Sequence, residues 1–124
     1  GYIGSHVCKR LASAGYLPIT FDSLVRGHRE AVRFGPLEIG DIRDSARLQE
    51  VVAKYRPEGA IHFAGLIAVG ESVREPALYH SVNVEGSRNV FEALRMMENP
   101  SVVFSSSAAV YGTPLRCPIP ETAE

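Results

Sequence analysis

The sequence predicts a doubly wound α/β fold, a parallel sheet covered by helices on both faces. Three observations lead there. Short apolar runs at 17–22, 37–39, 60–64 and 101–104 alternate with stretches of helical periodicity. Those runs are compact and apolar instead of strictly alternating, as strands buried on both faces are. A glycine-spaced turn opens straight into the first helical stretch, which is where such folds begin their phosphate-binding turn.

Taken in order, Gly1 and Gly4 lead into a helix through Ala14, with Val7, Leu11 and Ala14 on one face and Cys8 beside it. Gly15 ends it, because glycine takes the left-handed conformation that follows many helices. Leu17 to Asp22 reads as a strand closed by an acid, and 23–34 as a basic loop with a short helical turn. Leu37-Glu38-Ile39 is a second strand. Asp44 or Ser45 can cap a helix running to about Tyr55, whose face carries Leu48, Val51, Val52 and Tyr55. Arg56-Pro57-Glu58-Gly59 stops it, since the residue before a proline avoids helical backbone. Ala60 to Ala64 is a third strand. A long helix is expected from about Pro76 to Met97, striped by Val84, Ser87, Val90, Phe91, Leu94 and Met97. Ser101 to Phe104 is the fourth strand.

The 124 residues suffice for one small domain, and 45% apolar with 22% charged residues is ordinary for a globular chain. A net charge of -1 gives no general attraction to nucleic acid or to an anionic membrane, and no apolar run is long enough to span a bilayer. Cys8 and Cys117 lack the spacing of a metal site or redox pair, so two free thiols in a reducing cytoplasm are expected. His6, His28, His62 and His80 show no ligand spacing, and no metal is expected. The chain opens on a glycine turn and closes on Pro118 to Glu124, a loop. Both ends read as cut, and the opening shows no secretory signal pattern.

The chemistry starts at the glycines. A cofactor of a doubly wound sheet lies beyond the carboxyl ends of its strands. Glycine allows a tight turn and lets backbone approach a pyrophosphate, and the helix that follows offers free N–H groups. Two glycines alone are a weak signal. Asp22 strengthens it: it closes the next strand 18 residues after Gly4, near the spacing at which an acid holds the adenosine ribose. A carboxylate there repels a ribose phosphate, so NAD is expected over NADP, with Arg26 the one nearby cation that opposes this. The expectation is a Rossmann-type NAD-binding domain.

Four segments are distinctive together: Gly40 to Arg43, Ile61 to Val73 (IHFAGLIAVGESV), Tyr79 to Ser87 (YHSVNVEGS), and Val103 to Gly112 (VFSSSAAVYG). With Gly1-Tyr2-Ile3-Gly4-Ser5-His6 ahead of them, the chain resembles the UDP-glucose (UDP-galactose) 4-epimerase family of extended short-chain dehydrogenases almost end to end. The resemblance implies NAD lined by Gly1, Tyr2, Ile3 and Gly4, with Asp22 on the ribose and Asp41 and Ile42 flanking the adenine. It also implies Phe63, Ala64 and Gly65 beneath the cofactor, Asn83 facing the active site, Ser105 near the cofactor, and Ser107 as the catalytic serine. In that family, hydride leaves C4 of a UDP-sugar for NAD and returns to the other face. The C4 oxygen then needs a base and a hydrogen-bonding hydroxyl.

Two departures stand out. Ile67 replaces a family lysine that contacts the cofactor. No tyrosine here has lysine four residues on, so the family's Tyr-x-x-x-Lys pair is expected beyond Glu124, with the UDP-binding part. Residues 1–124 are accordingly expected to be part of an NAD-binding domain without its first strand, which belongs mid-sheet. The second and fourth strands of the fold then lack a shared neighbour, and the piece alone is expected to fold poorly and be inactive.

The resemblance further implies a homodimer acting in galactose or surface-polysaccharide metabolism, while the free thiols point to the cytoplasm and the charge and hydropathy to no nucleic-acid or membrane partner. Alternatives are a UDP-pentose 4-epimerase, a sugar-nucleotide 4,6-dehydratase and a non-catalytic NAD-binding module. A dehydratase should carry acids near its active serine or threonine, whereas Ser107 has Ser106, Ala108 and Ala109 as neighbours. His62 is expected to be a satisfied core histidine, Glu71 a loop residue with at most a positioning role, and Tyr111 a packing residue beside the site.

Overall fold

The computed structural model of the chain describes residues 1–123, so the last residue of the closing loop, Glu124, lies outside them. Four short parallel strands alternate with helices: α1 (Tyr2–Ser13), β1 (Thr20–Asp22), β2 (Leu37–Ile39), α2 (Ser45–Tyr55), β3 (Gly59–His62), α3 (Val69–Arg74), α4 (Pro76–His80), α5 (Ser87–Leu94) and β4 (Ser101–Phe104). A π-helical segment, Ser81–Gly86, joins α4 to α5, and 3-10 turns lie at Arg29–Ala31 and Ala108–Tyr111. Every strand is paired, but not in one sheet. β1 pairs with β2, with Asp22 opposite Ile39, and β3 pairs with β4, with His62 opposite Phe104. Among the described residues no strand joins the two pairs, so β1 and β3 share no neighbour.

Helices join the halves. α2 packs on α5 through a core of Ile42, Leu48, Val52, Ala93 and Leu94, flanked by Phe21, Ala60, Val82, Val90 and Met97. α2 starts where a cap was expected: the Asp44 carboxylate accepts from the Arg47 N–H at 3.0 Å. It ends at Arg56, which takes the left-handed conformation itself (φ 43°), as the following proline disfavours helical backbone. β2 is bolted to α2 by Glu38, whose carboxylate accepts from Lys54 at 2.7 Å, from the Tyr55 hydroxyl at 2.6 Å and from Arg47. These donors hold its carboxyl down at about 2, the Lys54 and Tyr55 bonds contributing most.

The strands at 17–22 and 60–64 are shorter than expected. Pro18 cannot donate to a ladder, and β3 gives way to loop after His62. The first helix begins earlier than expected, at Tyr2, because the Gly1 carbonyl already accepts the Ser5 N–H at 3.0 Å. The long helix is interrupted. Ser87 donates to the Asn83 carbonyl at 2.6 Å, and the turn widens into π geometry over Ser81–Gly86. The stripe shifts with it: Ser87, Ala93 and Leu94 are buried while Val84 is exposed. α3 was not expected, because its valines 69 and 73 are exposed and give no apolar stripe.

Candidate functional site: a dinucleotide groove at the strand ends

The site residues gather at the carboxyl ends of β1, β3 and β4. The Gly1 nitrogen lies 3.2 Å from Asp22 Oδ2, so the glycine turn and Asp22 adjoin although 21 positions apart. The loop after β1 wraps that acid. The Leu24 N–H donates to Asp22 Oδ1 at 2.8 Å from a left-handed backbone (φ 59°). At Gly27 a Cβ would stand only 3.2 Å from both carboxylate oxygens. On the other side, a Cβ at Gly4 would lie 3.9 Å from the Phe63 ring, so the turn seats against the segment leaving β3. α1 has no acid in its first turn to occupy its free N–H groups. Tyr2 and Ile3 are exposed beside it, and the His6 ring sits 4.6 Å from that of Tyr2. A glycine turn, a helix amino terminus without an acid in its first turn and a held carboxylate at Asp22 fit a dinucleotide.

Asp41 and Ile42 follow β2. The Asp41 carboxylate accepts from Arg43 Nε at 3.0 Å, Nη2 at 2.6 Å and its N–H at 2.9 Å, and these bonds, the side-chain ones first, lower its pKa. The Ile42 side chain is in the core. Asn89, which the sequence did not mark, donates to the Ile42 and Arg43 carbonyls at 3.2 Å and fixes this turn.

Phe63, Ala64 and Gly65 leave β3 exposed. Asn83 does not stand free to face a ligand: its Oδ1 accepts from the Leu66 N–H at 2.8 Å and its Nδ2 donates to the Leu66 carbonyl at 2.9 Å. The π segment aims it there. Behind it, His62 is buried and shares a 2.9 Å bond with Ser87. Ser87 gives its own proton to Asn83, so His62 Nε2 is the donor. Burial lowers the His62 pKa. His62 is thus the satisfied core histidine expected. Ile67 is 92% exposed.

β4 delivers the serines. Ser105 N–H donates to the His62 carbonyl at 3.1 Å, tying the strand ends together. Ser107 caps the Ala108–Tyr111 turn, its Oγ accepting from the Ala109 N–H at 3.0 Å. Among the described residues nothing accepts its proton, so an oriented hydroxyl with a free donor faces outward. Tyr111 lies in the same turn.

Residues 1–124 match the model of the NAD dependent epimerase/dehydratase family over their whole length. The chain belongs to that family. Within it, the chain is 51% identical over 122 residues to the UDP-glucose 4-epimerase of Rhizobium leguminosarum bv. trifolii, covering 98% of this chain and 37% of that protein. It is 40% identical over 130 residues to the UDP-glucose 4-epimerase of Klebsiella pneumoniae, covering 98% of this chain and 94% of that one. The crystal structure of the Brucella ovis UDP-glucose 4-epimerase in complex with NAD superposes with a TM-score of 0.92 at 50% identity, over 96% of this chain and 37% of that one. The chain therefore spans little more than a third of the length of several curated relatives. The doubly wound NAD-binding fold and the epimerase resemblance both hold. Cys8 and Cys117 are free thiols. Among the described residues there is no cluster able to hold a metal and no helix long and apolar enough to cross a membrane.

Arg26 and Tyr79 carry structure that sequence reading missed. Arg26 grips Glu71 with its Nη2 at 2.8 and 2.9 Å. Tyr79 donates to Glu71 at 2.7 Å and is held by the Ala68 N–H at 3.0 Å. The Tyr79 bond, then Arg26, lowers the Glu71 pKa. Glu71 lies in a helix and not in the loop expected, and its carboxylate ties Tyr79 to Arg26. No local pattern announces pairs 45 and 8 residues apart.

Proposed function

We propose that the protein carrying this chain is a cytoplasmic, homodimeric enzyme that interconverts UDP-glucose and UDP-galactose by NAD-dependent oxidation and reduction at C4. Galactose or nucleotide-sugar metabolism is its setting. The observation that carries the reading is the meeting of two features at one set of strand ends. One is the glycine turn seated between Asp22 and Phe63; the other is the outward hydroxyl of Ser107 on the neighbouring strand pair.

Gly1 to Gly4 receive the pyrophosphate at the start of α1, where unpaired N–H groups and the helix dipole favour an anion. Asp22 accepts from the ribose hydroxyls, and its charge disfavours a phosphate there. With Arg26 already held by Glu71, the cation that opposed this preference is engaged. Asp41 and Ile42 border the adenine, and Phe63 to Gly65, with Ser105, form the floor. Asn83 acts through Leu66, holding that floor in place. Bound there, NAD supplies a reversible hydride acceptor for C4.

Ser107 works on the C4 oxygen. The Ala109 N–H orients its Oγ, and its free proton can be donated to that oxygen as charge develops. The apolar neighbours Ala108 and Ala109 favour the epimerase over a dehydratase. Replacing Ser107 with Ala in the full-length protein should lower kcat about 100-fold while NAD still binds. Turnover of the variant at the wild-type rate would remove Ser107 from the reaction.

A further inference from the structure

We propose that the Arg26–Glu71 ion pair is a strap across the dinucleotide groove that sets how fast the cofactor enters and leaves. This rests on the NAD-binding reading above. Arg26 lies in the loop after β1, four residues beyond the ribose acid Asp22. Glu71 lies in α3, beyond the Phe63–Gly65 floor after β3. Those two strand ends flank the glycine turn, which touches Asp22 on one side and Phe63 on the other. A bond joining the two loops therefore spans the groove.

The two ends of the strap differ. Glu71 is braced before Arg26 arrives, because Tyr79 donates to it while accepting from the Ala68 N–H. Arg26 is the movable half, its side chain 62% exposed on the loop after β1. The contact is charge-assisted, a single guanidinium nitrogen meeting both carboxylate oxygens of Glu71. It is also solvent-exposed, so it opens often, and its effect is a rate modulation of a fewfold.

A strap that closes over a groove slows arrival and departure together, whereas a side chain that merely touches the cofactor slows departure alone. The test is stopped-flow measurement of NADH binding and release on the full-length protein, with Arg26→Ala, Arg26→Lys, Glu71→Gln and the Arg26→Ala/Glu71→Gln double variant. Glutamine still accepts the Tyr79 bond, so α3 keeps its brace. Association and release should both rise about two- to fivefold in Arg26→Ala and in Glu71→Gln. The dissociation constant should move less than either rate, the double variant should be no faster than the faster single, and Arg26→Lys should fall between. Unchanged release, additive effects, or faster release with unchanged association would each overturn the strap. A wild-type protein that binds no nicotinamide cofactor would overturn the NAD reading and the strap together. NAD binding with insensitive rates would overturn the strap alone.

Discussion

Gly86→Ala should destabilise the protein and loosen its grip on NAD, although alanine is the better helix former. Gly86 is buried in the π segment with helical backbone angles (φ −59°, ψ −45°), so alanine meets no conformational strain. Propensity alone would favour it by about 1 kcal/mol. A Cβ there would stand 2.6 Å from Ile42 Cδ1 and 2.7 Å from Cγ1. Ile42 is held among Leu48, Val52, Ala93 and Leu94, so it has little room to retreat. Overpacking of this kind costs about 1–3 kcal/mol, leaving a net loss of about 1 kcal/mol. Ile42 sits in the turn that borders the adenine in our reading, so its displacement should also weaken NAD binding a fewfold. Gly70→Ala is the control. It lies in α3, where a Cβ meets only Arg74 Nη1 at 3.8 Å, and it should raise stability by about 0.5 kcal/mol. Thermal midpoints and NAD titrations of the two full-length variants give the comparison. A rise in midpoint for Gly86→Ala matching that of Gly70→Ala would refute the packing reasoning.

Other outcomes follow from the same contacts. Glu38 has its folded pKa depressed to about 2 from an ordinary 4.5, so its stabilisation is present above about pH 4.5 and fades as pH falls from there toward 2. The midpoint gap between wild type and Glu38→Gln should be full at pH 6 and narrow below pH 4.5; a gap independent of pH would contradict this. Asp44→Ala removes the α2 cap and should cost about 1 kcal/mol, read by urea denaturation, whereas Asp44→Ser should recover most of it. The isolated 124-residue chain buries few apolar side chains and leaves Ile61, Val102, Val103 and Phe104 exposed along β3 and β4. It should show no cooperative thermal transition, and a sharp single transition by calorimetry would be the contrary finding.

Features governed by local chemistry were legible in the sequence. The Asp44 cap, the stop at Arg56-Pro57 and the four strand positions each depend on residues within a turn of one another. The glycine turn with Asp22 was legible because doubly wound folds fix that spacing. Ser107 was marked only by family resemblance, since three serines after a strand otherwise read as a polar turn. What stayed hidden depends on contacts between distant segments. The π widening needs Ser87 to bond Asn83 while His62 approaches from β3. α3 has no stripe of its own and leans on Arg26 and Tyr79. Asn83 was expected to face the active site, yet both its polar atoms hold Leu66, which only the folded geometry reveals. Glu38 read as a strand residue, and its three donors come from α2.

The most direct measurement is conversion of UDP-galactose to UDP-glucose by the purified full-length protein, with its cofactor content determined beforehand. The account predicts interconversion in both directions, dependence on NAD, and no substitution by NADP. A protein that binds NAD yet leaves both UDP-hexoses unchanged would contradict the epimerase reading.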